Sequence, residues 1–111
     1  INREVGGLGG LAAVLGSRAL LRDEHERSAE AEELFRQALA LHVRSGNRRF
    51  EGMNRCDFAR CLLRLGRVEE ARNSWQQGAG ILREIGDESE LERKTRAMRR
   101  VCEVAGISHF E

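Results

Sequence analysis

Three groups of residues in this chain have types and spacings from which chemistry can be built. The first is the stretch "VGGLGGLAAVLG", residues 5–16, in which Gly7, Gly9 and Ala12 fit the glycine fingerprint that cradles a dinucleotide pyrophosphate. The second is a set of nucleophiles, ligands and bases: Cys56, Cys61 and Cys102 with His25, His42 and His109. The third is arginine, dense in "RKTRAMRR" at 93–100 and recurring at Arg18, Arg60 and Arg64. Guanidinium groups clamp carboxylates and phosphates through paired N–H donors.

Each group must be positioned by secondary structure, and that narrows the choices. A dinucleotide cradle needs a strand before the glycines and a second strand after a crossover helix. No run of Val and Ile alternates here, and proline and tyrosine are absent. Ala, Leu, Glu and Arg, all strong helix formers, dominate instead. The glycines therefore read as the loosely packed start of a first helix, each costing about 1 kcal/mol relative to alanine in a helix interior. The three cysteines form no C-x-x-C pair, so neither a disulfide framework nor a zinc site is expected. Cys56 and Cys61 stand five apart on one helix, about 140° around it, and cannot jointly hold a metal. No histidine recurs with a nucleophile or a paired carboxylate, so no catalytic activity and no cofactor are expected. An enzyme working through Cys56 or Cys61 would need a depressed thiol pKa.

With 111 residues the chain suits one domain, and a formal net charge of +1 gives no general pull toward nucleic acid or membrane. Charged residues make up 33% and apolar ones 41%, a balance fit for a folded helical protein. The apolar stretch from Val5 to Leu21 is too interrupted for a membrane span and lacks the basic region of a signal peptide. Three thiols without a framework point to a reducing, cytoplasmic setting. The opening on Ile1 rather than methionine would suit a piece of something longer.

Compared with itself, the chain repeats. "AEAEELFRQALALHVRSGN" (29–47) lies over "EEARNSWQQGAGILREIGD" (69–87) at an offset of forty, with Ala31 on Ala71, Phe35 on Trp75 and Gly46 on Gly86. The following segments continue at that offset, with Phe58 on Met98 and Gly66 on Gly106. The opening stretch is expected to join at an offset of forty-two, Gly10 on Gly52 and Leu11 on Met53, with two extra residues in the loop "RDEHERSAEA". Each unit reads as two antiparallel helices stopped by glycine, repeat 1 at about 7–47, repeat 2 at 48–87, a terminal half-repeat or capping helix at 88–106 and a tail at 107–111. The expected fold is all-α, with about five helices stacking into a right-handed α–α superhelix.

The Ala31–Phe35 and Ala71–Trp75 pairs, each followed by Ala38 or Gly78, resemble the second helix of a tetratricopeptide repeat. Phe58, Ala59 and Leu62 fit the large–small–large pattern of the preceding helix, and "LGRVEEA" is similar to that family's loop. The period of forty is similar to the family's longer variants, although the closing proline is missing.

The resemblance implies a concave groove, lined by the first helix of each unit, that binds a peptide. It carries over to Leu11, Val14, Arg18 and Leu21, then to Met53, Cys56, Arg60, Leu63 and Arg64, then to Arg93, Arg96 and Arg100. Such a groove would take an acidic segment or a terminal carboxylate, unless the arginines pair with Glu51, Asp57 and Glu103 on their own helices. The expected function is a non-catalytic module that binds a partner protein or peptide, or joins copies of itself through helix faces at the array ends. As a fragment it would be the sensor or scaffold arm of a larger bacterial regulator. An RNA-binding helical array is the other class to weigh, and the basic stretch lacks the interleaved aromatics that would stack bases.

Overall fold

In a computed structural model the backbone is described for residues 2–111 and the side chains from Gly10 onward. Five helices account for almost all of it: α1 (Asn2–Glu24), α2 (Ser28–Ser45), α3 (Arg48–Arg64), α4 (Val68–Glu84) and α5 (Glu88–Ala105). No strand occurs among the described residues. Gly7, Gly9 and Ala12 lie inside α1, so among the described residues helix, not the strand that a dinucleotide cradle requires, leads into them.

The helices are cut to length by a stop recurring every twentieth residue. Gly46, Gly66, Gly86 and Gly106 all hold left-handed backbone, with φ between 70° and 80°. At each, the amide of the next residue bonds back to a carbonyl inside the helix, as Arg67 does to Leu62 at 2.9 Å and Ile107 to Cys102 at 3.0 Å. Asn47 and Asp87 then start α3 and α5, their side chains accepting from the amides of Phe50 and Glu90.

α1 with α2 and α3 with α4 form antiparallel pairs, and α3 touches all four other helices. Phe35 and Phe58 meet at 5.4 Å between ring centroids, joining α2 to α3. Trp75, Leu82, Met98 and Cys102 continue the buried core into α4 and α5. The α3–α4 crossing is unusually close. A Cβ on Gly78 would lie 2.7 Å from the carbonyl oxygen of Gly52 and 2.8 Å from the amide nitrogen of Cys56. Gly78 therefore stands where repeat 1 has Ala38 because here one backbone rests on another.

Two expectations are corrected. α1 ends at Glu24 and α3 at Arg64, while α2 begins at Ser28 and α4 at Val68, so the first unit follows the same offset of forty. The shift of forty-two and the extra loop residues do not hold. Small buried residues mark the true register: Ala12, Gly16 and Ala19 stand on Gly52, Cys56 and Ala59, all buried. Ala19, not Ser17, is thus the small position matching Ala59 and Arg99. The first helix also begins at Asn2 rather than near residue 7.

The tail has its own structure. Gly106 turns the chain back, and Phe110 returns to the core with 6% of its surface exposed, against Met98 and Cys102.

Candidate functional site

α1, α3 and α5 share one side of the molecule, and two buried aspartates tie them together. Asp23, at the end of α1, accepts from Ser28 Oγ at 2.6 Å and from the guanidinium of Arg64 on α3. Asp57, on α3, accepts from Arg60 at 2.8 Å and from Lys94 on α5 at 2.9 and 3.2 Å. Both aspartates are nearly inaccessible, at 4% and 3% exposure, so each must keep its cations or leave a charge buried alone.

Two hollows flank these ion pairs. The smaller, about 160 Å³, lies between α1 and α3 over Leu20, Met53 and Asp57. The larger, about 610 Å³, is framed by the α1–α2 turn, the end of α3 and the end of α5. Leu63, Leu65, Val101 and Val104 give it an apolar lining, with Arg64 and Glu26 at its edge. Val104 is 89% exposed and has nothing over it. Arg100 lies one turn before Val104 on the same face of α5 and has no carboxylate partner among the described residues.

The arginines named from the sequence separate into two kinds. Arg60 and Arg64 are held by Asp57 and Asp23, Arg93 pairs with Glu90 at 2.9 Å and Arg96 with Glu92 at 3.9 Å. Arg18 and Arg100 alone of the named set lack a carboxylate among the described residues. Leu11, Val14 and Leu21 are each about half exposed on α1. In the corrected register the α1 positions matching Met53 and Arg60 are Ala13 and Leu20, and both face the smaller hollow.

Cys56 does not line an open surface as expected, whereas Leu63 does line the larger hollow. Cys56 is 1% exposed beneath Gly78, and Leu63 is buried at the floor of the larger hollow. Burial pushes the Cys56 thiol up to about 12, with the Asp57 charge adding to it. Cys61 is also pushed up to about 12, by burial first and then by Asp23 and Glu32, and its Sγ donates to the Ser28 carbonyl at 3.2 Å. Burial raises Cys102 as well. Neither Cys56 nor Cys61 has the electropositive, accessible setting of a nucleophile.

Among the described residues no group of three His, Cys, Asp or Glu side chains could hold a metal ion, and no helix is long and apolar enough to cross a membrane. Phe35, Phe58, Trp75 and Phe110 are buried; Phe50, 36% exposed, lines the smaller hollow with Lys94 of the basic stretch 93–100. The chain matches no protein-family model, no curated protein and no solved structure. The site is therefore defined by its geometry.

Sequence reading named Asp57 as a partner for arginines on its own helix, which it is for Arg60, but missed Asp23 against Arg64, Lys94 against Asp57, and Val101 and Val104 in the larger hollow. Val101 and Val104 are three apart at the end of α5 and show as an apolar edge on an otherwise charged helix.

Proposed function

We propose that this protein is a non-catalytic, tetratricopeptide-type helical module that binds an extended acidic segment of a partner protein. The segment would lie across α1, α3 and α5, with an apolar side chain in the hollow over Leu63 and Val101 and a carboxylate beside it. The observation that carries this reading is the larger hollow, apolar inside, with Arg64 at its edge and Arg100 one turn from Val104. Guanidinium groups beside an apolar recess favour a carboxylate next to a hydrophobic anchor. The ionic part of such binding weakens with salt.

The test is a fluorescence-anisotropy titration on a peptide array in which acidic and apolar residues are varied independently. Peptides combining the two should bind best, and Val104→Glu should weaken them by about tenfold, the effect of roughly 1.4 kcal/mol. Arg100→Glu should act in the same direction. Binding that ignores peptide charge and both substitutions would remove the reading.

Self-association is a second reading, favoured by Leu11, Val14 and Leu21. Each exposes about half its surface on one side of α1. A second copy covering that side would be seen as a dimer in sedimentation, and Val14→Glu would dissociate it.

A further inference from the structure

The segment after α5 is bound to the helices as a ligand would be. Past Gly106 it has no regular structure, and beyond the Ile107 amide no backbone–backbone hydrogen bond ties it down among the described residues. Side chains hold it instead. Phe110 fills a slot between α4 and α5, its ring 5.5 Å from the guanidinium carbon of Arg72. Its amide donates to Met98 Sδ at 3.3 Å. Arg99 donates to both carboxylate oxygens of Glu111, and His109 Nε2 lies 3.0 Å from Glu103.

This arrangement separates recognition into two parts. The slot reads an aromatic ring through apolar contact with Met98 and Cys102 and cation–π contact with Arg72. Arg99 reads a carboxylate on the next residue through a forked pair of charge-assisted bonds. Arg72 and Arg99 keep 39% and 45% of their side-chain surface exposed, so the slot opens at the molecular surface.

From these contacts we infer that the α4–α5 slot is a second binding site, specific for an extended partner segment with an aromatic residue followed by a carboxylate. Residues 107–111 occupy it in cis and compete with that partner. The site is separate from the hollow over Leu63 and Val101 and does not depend on it. A tethered segment competes at an effective concentration in the millimolar range, so a partner in trans binds well only when the tail is released.

The experiment uses the full chain and a fluorescent peptide with the sequence of residues 107–111. Phe110→Ala should release the slot, and the peptide should then bind about tenfold or more tightly than to the wild type. Adding Arg72→Ala to that variant, or replacing the peptide's phenylalanine with alanine, should abolish the gain. Glu111→Arg offers a second route, repelling Arg99 while leaving the aromatic core residue in place. It too should raise peptide affinity. Folded Phe110→Ala and Glu111→Arg proteins that bind the peptide no better than wild type would overturn the proposal. Should Phe110→Ala fail to fold, the result with Glu111→Arg decides.

Discussion

Glu26 holds the left-handed backbone position that Gly66 holds forty residues later, with φ of 61° against 80°. It is the one non-glycine residue with positive φ among the described residues, and it follows the same twenty-residue rhythm as the four glycine stops. An L-residue there crowds its Cβ against the backbone and costs about 1 kcal/mol or more. Glu26→Gly should therefore stabilise the protein by about 1 kcal/mol, raising the thermal midpoint by about 4 °C or more. Gly66→Ala should lower it by a similar amount. No change in either variant would show that this turn carries no strain.

Two glycines of α4, two residues apart, should respond in opposite directions. A Cβ at Gly78 would strike backbone atoms of Gly52 and Cys56, whereas one at Gly80 meets nothing within 4 Å. Gly78→Ala must push α3 and α4 apart and should cost about 1–3 kcal/mol. Gly80→Ala adds a better helix former without a clash and should add up to about 1 kcal/mol. Urea denaturation of the two variants checks this, and equal effects would refute the close crossing.

Much of this architecture was legible because its signals are periodic. Phe35, Phe58, Trp75 and Met98 recur at core positions, and the glycine stops bound the helices. The register of α1 was not legible, because Glu26 hides its stop and the many glycines before Ser17 offer false matches to Gly52. The pair of Arg60 with Asp57 on one helix was within reach, but the ion pairs between helices were not, for a different reason. Asp23 to Arg64 and Asp57 to Lys94 span 41 and 37 residues, and helical periodicity speaks only of neighbours on one helix. The tail was missed because five residues without a period reveal no docking, although a lone Phe110 among polar residues was a visible hint.

His42 makes stability depend on pH. It is fully buried, stacks on Phe50 with centroids 5.5 Å apart, and neither ring nitrogen has a hydrogen-bond partner among the described residues. Burial holds its pKa below the ordinary 6.5, against the opposing pull of Glu51. A histidine depressed in the folded state stays neutral while its unfolded counterpart takes up protons. Its contribution is therefore full above about pH 6.5 and is lost as pH falls from there to the folded-state value. His42→Phe should flatten that slope between pH 7.5 and 5 and add about 1 kcal/mol at neutral pH by removing unpaired polar atoms. Parallel urea titrations at both pH values would show it, and an unchanged slope would contradict it.

The three thiols should be silent in the folded protein. All are buried, and the raised values of Cys56 and Cys61 leave almost no thiolate at neutral pH. Labelling by a thiol-specific disulfide reagent at pH 7 should proceed only as fast as the protein opens, and all three should react at once in denaturant. A fast single-site reaction under native conditions would instead revive cysteine chemistry.

Asp57 supplies the last test, because two cations from different helices depend on it. Asp57→Asn leaves the ammonium of Lys94 and the guanidinium of Arg60 facing a neutral group, with side chains only 14% and 17% exposed. Removing one partner of such a buried pair costs about 3–5 kcal/mol, more than the pair itself adds over an apolar replacement. Adding Lys94→Met to Asp57→Asn should recover part of that loss, since it withdraws one unpaired charge. Arg60 would still lack its carboxylate, so recovery should be partial. A double variant no more stable than Asp57→Asn alone would mean that Lys94 finds water instead of Asp57, and that α5 is held to α3 by Met98 and Val101 rather than by charge.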